Sequence, residues 1–95
     1  MKICDAVNNL NLLSFSYEGY SRLVEPHTYG IDTKGNEALR AYQISGGSES
    51  GEYSGWKLFR LDRMNSPTVS AEKFSGPRPG YKRGDKAFPT IYCQL

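Results

Sequence analysis

The nine residues Trp56-Lys57-Leu58-Phe59-Arg60-Leu61-Asp62-Arg63-Met64 constrain the fold more than any other stretch. Leu58, Phe59, Leu61 and Met64 are too dense for a solvated loop, and a Gly-rich stretch precedes them, so the segment reads as a strand. Alternation along a strand puts Phe59, Leu61 and Arg63 on one face and Leu58, Arg60 and Asp62 on the other. An arginine among core residues needs an anionic partner, because an unpaired buried charge is very costly. Two readings follow. Either Asp62 or a carboxylate on a neighbouring strand neutralises the arginines, or Arg60 and Arg63 help form an anion-binding surface, where a planar guanidinium suits phosphate.

The remaining chain supplies partners for that strand. Ile3, Val7 and Leu10 recur at helical spacing, which predicts a short helix over residues 2–10, ended by Asn8, Asn9 and Asn11. Leu13, Phe15 and Tyr17 alternate with Ser14 and Ser16 as a half-buried strand does. Glu18-Gly19-Tyr20-Ser21 then turns the chain into a second strand from Arg22 to Ile31. Pro26 cannot donate to a ladder, so this strand is bulged there or lies at an edge. Asp32–Asn36 is a turn, Ala38–Ile44 a third strand, and Gly46–Glu52 a loop rich in glycine and serine. Ser66-Pro67 turns the chain into a short fifth strand, Thr68–Ala71. Ten glycines and five prolines in 95 residues fit this turn-rich β reading better than a helical bundle. The expected fold is all-β in the main: five strands in a small, strongly bent sheet or barrel, with one short amino-terminal helix.

A chain of 95 residues makes one domain that buries roughly 60–65% of its unfolded surface. Residues 1–75 carry the strands, and residues 76–95 read as a basic, Gly/Pro-rich arm docking only through its last residues. The arm holds Arg78, Lys82, Arg83 and Lys86 against Asp85 alone, so it is +3 where the rest is −1. Such a tail is either solvated or drawn to a polyanion. Phe88, Ile91 and Tyr92 are apolar enough to pack back on the domain or against a second copy as a homo-oligomer. Cys4 and Cys93 lie near opposite ends without CxxC spacing. With no signal peptide and no membrane-length apolar run, reduced thiols in a cytoplasmic protein without a membrane partner are expected, the alternative being a terminal disulfide.

Catalysis finds little support. One histidine and two distant cysteines provide neither a nucleophile–base pair nor a zinc ligand set, and no phosphate-binding loop motif is present. No catalytic residue, metal site or cofactor is therefore assigned. Arg40 and Tyr42 share one strand face, and arginine beside an aromatic ring serves either single-strand binding or simple cation–π packing.

Tyr17, Arg22, Val24-Glu25-Pro26, Gly35, Leu39 with Tyr42, and Phe59-Arg60-Leu61-Asp62-Arg63 resemble the WYL domain in order and spacing over about residues 1–75. Where the family has Trp-Tyr-Leu this chain has Glu37-Ala38-Leu39. The resemblance implies a five-stranded, Sm-like, SH3-type barrel that senses single-stranded nucleic acid or a nucleotide, linked to transcription regulation or phage defence. By position it implies ligand contacts from Ser14, Ser16, Tyr17, His27, Arg40, Arg60 and Arg63, with Tyr42 beside them. The chain has no room for a helix-turn-helix domain that would read a duplex groove. The alternative is an adaptor or inhibitor that docks on a larger nuclease or regulator.

Overall fold

Asn8-Asn9 end the single helix and release the chain into its first strand. In the computed structural model, which describes residues 3–95, α1 spans Ile3–Asn9 and buries Ile3, Ala6 and Val7. Seven residues are too few to hold a helix in water, so packing against the sheet maintains it. Leu10 adopts a left-handed conformation (φ 58°) to stop it, and the Leu10 carbonyl accepts from the Phe74 amide at 2.9 Å.

Six strands follow: β1 (Asn11–Tyr17), β2 (Tyr20–Ile31), β3 (Glu37–Gly46), β4 (Gly55–Arg60), β5 (Asn65–Lys73) and β6 (Thr90–Gln94). They form one antiparallel sheet in the order β4-β3-β2-β1-β5, with β6 added to β2. The β1–β2 turn is Glu18-Gly19, both left-handed (φ 53° and 80°), the geometry that matches strand twist in a two-residue hairpin. Pro26 shows why β2 bends. One edge of β2 pairs with β3 along its length, whereas the other pairs with β1 up to Val24 and with β6 from Thr28. Pro26, lacking an amide hydrogen, sits in the gap between those two ladders. His27 is the extra residue of a bulge, since Pro26 faces Ala41 and Thr28 faces Arg40. The proline thus marks a bulge in a central strand, not an edge.

The arginine-bearing strand is shorter than its sequence suggests. It ends at Arg60, and Leu61–Arg63 form a 3₁₀ turn, which takes Arg63 off the strand face. That turn also bends the sheet. A flat arrangement would hold β4 and β5 four strand spacings apart, about 19 Å. The three residues of the turn at about 2 Å each, with Met64 at about 3.3 Å, cannot span that distance. The sheet therefore curls, although no ladder joins β4 to β5. The core lies inside the curl, where Phe59 meets Phe15 and Tyr17 edge-on at 4.9 and 5.0 Å. Ser66-Pro67, expected as a turn, is an irregularity within β5, with Ser66 left-handed (φ 51°) and the β1 register shifting beside it.

The buried arginine is neither Arg60 nor Arg63 but Arg22, only 3% exposed. Its guanidinium donates to Gln43 Oε1 (3.2 Å) and to the Tyr17 carbonyl (3.1 Å), and reaches Glu18 at 3.4 Å. Gln43 is itself fully buried and spends its amide on the Gly47 and Tyr53 carbonyls (3.0 and 2.9 Å). This chain of bonds anchors the loop between β3 and β4 to the core.

The tail corrects two expectations. Residues 76–95 are not an arm docking by its end. Phe74 and Phe88 are buried, the intervening loop crosses the outside of β3 and β4, and the chain returns as β6. Gly30 permits this pairing, because a Cβ there would meet the Thr90 carbonyl oxygen at 2.1 Å. The apolar residues offered above to a second copy are largely spent within the chain. Phe88 is buried and Tyr92, though half exposed, sets its ring against Tyr29 at 5.2 Å. Cys4 and Cys93, expected as thiols, are bonded to each other with Cα atoms 5.7 Å apart across 89 residues of sequence. Both α1 and β6 pack on β2, and that shared neighbour brings the chain ends together. Among the described residues no helix is long and apolar enough to cross a membrane.

Candidate ligand-binding cleft

Register decides which side chains meet outside the sheet. Tyr42 faces Trp56, Arg40 faces Leu58 and Ala38 faces Arg60, so all six share one face of the β3–β4 pair. The loop at 78–85 crosses this face and leaves a cleft of about 220 Å³, lined by Arg40, Trp56, Gly80, Tyr81, Lys82 and Asp85. Gly80 is required in two ways. Its φ is +90°, and an added Cβ would approach Trp56 Nε1 to 3.1 Å.

Aromatic rings form the back of the cleft. Trp56 meets Tyr42 edge-on at 5.5 Å and His27 at 4.7 Å, and lies nearly parallel to Tyr81 (6.4 Å, 24°). Its indole N–H donates to the Pro79 carbonyl at 3.1 Å. Arg40 supplies charge in a fixed orientation. Its Nε donates to Asp85 Oδ2 at 2.9 Å, the one side-chain bond it makes among the described residues, so its two terminal amino groups are left over. Burial pushes the Asp85 carboxyl up, but the Ala87 amide and the Arg40 guanidinium outweigh it and hold the carboxyl below its usual range. Lys82 is exposed at the rim.

Arg78 fastens the loop. Its guanidinium makes a forked pair with Glu25 (2.7 and 3.1 Å) and lies 4.5 Å from the Tyr42 ring centre. His27, fully buried, is bonded on both nitrogens: Nδ1–H to the Glu25 carbonyl at 2.8 Å, and Nε2 accepting from the Arg78 amide at 3.1 Å. That pattern requires the neutral ring. Burial lowers the His27 pKa, and the Arg78 charge adds to this, against a rise from the Glu25 carbonyl bond and the Glu25 charge. A folded-state pKa below 6.5 means that the unfolded chain binds the extra proton first. The His27 contribution is therefore intact above pH 6.5 and lost as pH falls towards the lowered value. Thermal melts of the wild type should weaken from pH 7.5 to 5, whereas His27→Gln should melt lower but show a flatter profile across that interval. A wild type as flat as the variant would contradict a neutral His27.

The residues expected from sequence are thus dispersed. Arg40 lines the cleft, and Tyr42 and His27 back it. Tyr17 is a core residue whose hydroxyl accepts from the Arg60 amide at 3.1 Å. Ser14 and Ser16 lie half-buried on β1, facing Leu23 and Ser21 and outside the cleft lining. Arg60 turns to Asp62 (2.7 Å) and Asn36 (3.4 Å), so the carboxylate beside it in sequence does supply its partner. Arg63 stands exposed on the 3₁₀ turn. Arg40, Arg60 and Arg63 accordingly do not line one groove. Trp56, Tyr81, Lys82 and Asp85 were not anticipated as site residues. Strand alternation from Arg60 back through Leu58 would have reached Trp56; the loop residues carry no periodic signal.

Comparison with protein families, curated proteins and solved structures returned no match. Among the described residues no group of three or more His, Cys, Asp and Glu side chains is placed to hold a metal ion.

Proposed function

We propose that this chain is a non-enzymatic binding module for single-stranded nucleic acid or a nucleotide, a small sensor of WYL type linked to transcription regulation or phage defence. One observation carries the reading: the Trp56 and Tyr81 rings stand beside Arg40 and Lys82 in a single cleft. Single-strand binding needs a ring to stack a base and a cation to pair the phosphate, and both are provided here. Sites for drug-sized ligands begin near 300 Å³, so a cleft of about 220 Å³ admits one base while the sugar-phosphate lies along the open surface. Asp85 grips Arg40 through Nε and leaves the amino fork free for a phosphate. The Sm-like barrel belongs to the same proposal, supported by the strand order, the bend at Pro26 and the short link between the outer strands.

Arg40→Ala should weaken binding of a short oligothymidylate by roughly 1–3 kcal/mol, the scale of a charged hydrogen bond. Its salt dependence should become shallower by about one phosphate. Arg63→Ala, a cation of equal charge outside the cleft, should leave the affinity nearly unchanged. Equal losses in both variants would indicate diffuse electrostatic attraction instead of a site. The adaptor reading draws on β5, an outer strand with one side unpaired and most of its side chains exposed, which could accept a partner strand. A protein partner captured through β5 by a wild type with no affinity for oligothymidylate would favour it.

A further inference from the structure

We propose that the Cys4–Cys93 bond is a redox lock on the cleft, which fixes the Tyr81 wall when oxidised and releases it when reduced. The two walls have different supports. Arg40 and Trp56 belong to β3 and β4, within the sheet. The opposite wall is pinned at Asp85 by Arg40 but hangs between Tyr81 and Gly84 from the end of β6: Tyr81 Oη and Arg83 both donate to the Leu95 carbonyl (2.7 and 2.6 Å), and the Gly84 amide donates to Gln94 Oε1 (2.8 Å). β6 is itself a weak support. It has five residues, pairs with β2 alone, and shifts register between Tyr29 and Gly30. The bond from Cys93 to Cys4 pins this strand to α1 directly beside the residues that hold the wall.

Both cysteines are half-buried, neither lying among the fully buried core residues. Reduction breaks the S–S bond. The dithiol supplies two electrons and two protons, each sulfur becomes a thiol, and the dithiol leaves as its cyclic disulfide. The Glu25–Arg78 pair and the Trp56–Pro79 hydrogen bond lie before the wall and do not depend on β6. The Arg40–Asp85 pair, also independent of β6, keeps the far end of the wall in place. Reduction therefore loosens Tyr81 to Gly84 by local opening while the sheet persists.

Trp56 is the only tryptophan, and its fluorescence reports on the cleft without any ligand. Acrylamide should quench it more strongly after dithiothreitol treatment. The double variant Cys4→Ser/Cys93→Ser should match the reduced wild type whether or not dithiothreitol is present. Far-ultraviolet circular dichroism should keep its strand signal throughout. Equal quenching of the oxidised and reduced protein overturns the lock; so does loss of the strand signal on reduction, which would make the bond a global staple. A second arm rests on the ligand reading above. Oxidised protein should bind oligothymidylate about fivefold or more tightly than reduced, the loss expected when one stacking ring is no longer held. Measurable but equal affinity in the two forms also overturns the proposal. If neither form binds, the ligand reading fails while the quenching result still decides the lock.

Discussion

Replacing Arg22 with methionine should lower the unfolding free energy by roughly 2–4 kcal/mol, because it orphans buried acceptors that cost about 1–3 kcal/mol each. Methionine approximates the arginine stem in length and keeps the apolar contact with Tyr17, Tyr20 and Phe59, whose rings lie 5.5–5.8 Å from the guanidinium carbon. What disappears is donation to Gln43 Oε1 and the Tyr17 carbonyl. The Glu18 carboxylate is only partly buried, so it rehydrates at little cost. Gln43 then keeps its bonds to Gly47 and Tyr53 but loses the tie of its Oε1 to the core, and the loop it anchors should exchange its amide hydrogens faster. Urea unfolding and hydrogen exchange on the same variant test both halves. A loss below about 0.5 kcal/mol, typical of surface substitutions, would place Arg22 outside the supporting network.

Reduction of the Cys4–Cys93 bond should cost about 4 kcal/mol. The bond closes a loop with 89 residues of separation, and the chain-entropy view assigns about 4–5 kcal/mol to a loop of that size. Domains of this length commonly have about 5–15 kcal/mol of stability, so the reduced protein should remain folded but melt well below the oxidised form. Differential scanning calorimetry with and without dithiothreitol measures the difference. Coincident melts, with free thiols confirmed in one sample and none in the other, would contradict this.

Local pattern carried most of the fold. Leu13, Phe15 and Tyr17 announce β1 because one of their faces is buried, and Gly19 announces the hairpin because glycine accepts a left-handed backbone, whereas the left-handed Glu18 carries no such signal. Pro26 signals a bulge for the chemical reason that it lacks an amide hydrogen. Where the structure departs from the sequence reading, a long-range contact decides. Leu61 continues the apolar alternation from Phe59, yet the need to bring β5 back beside β1 ends the strand at Arg60. Thr90–Gln94 alternates, with Ile91 and Cys93 turned inward and Thr90 and Tyr92 exposed, but it is short and follows a loop rich in glycine and proline, so only pairing with the far half of β2 makes it a strand. The cysteine pairing is of the same kind, since it depends on where that strand docks.

The cleft was legible by halves. Arg40 and Tyr42 follow from alternation on β3, and their neighbour Trp56 follows from register with β4. Its other wall depends on Arg78 reaching Glu25 across 53 residues, a contact no local pattern encodes. His27 illustrates the converse. As the single histidine it invites a ligand role, yet both of its ring nitrogens are engaged in holding the loop.

Whether the cleft takes a single strand is decided by Trp56 fluorescence titration with oligothymidylate, in the oxidised wild type and at two salt concentrations. Quenching should saturate, weaken as salt rises, and shift to higher ligand concentration in Arg40→Ala. Fluorescence that stays constant to millimolar oligothymidylate and to millimolar nucleotide would contradict it.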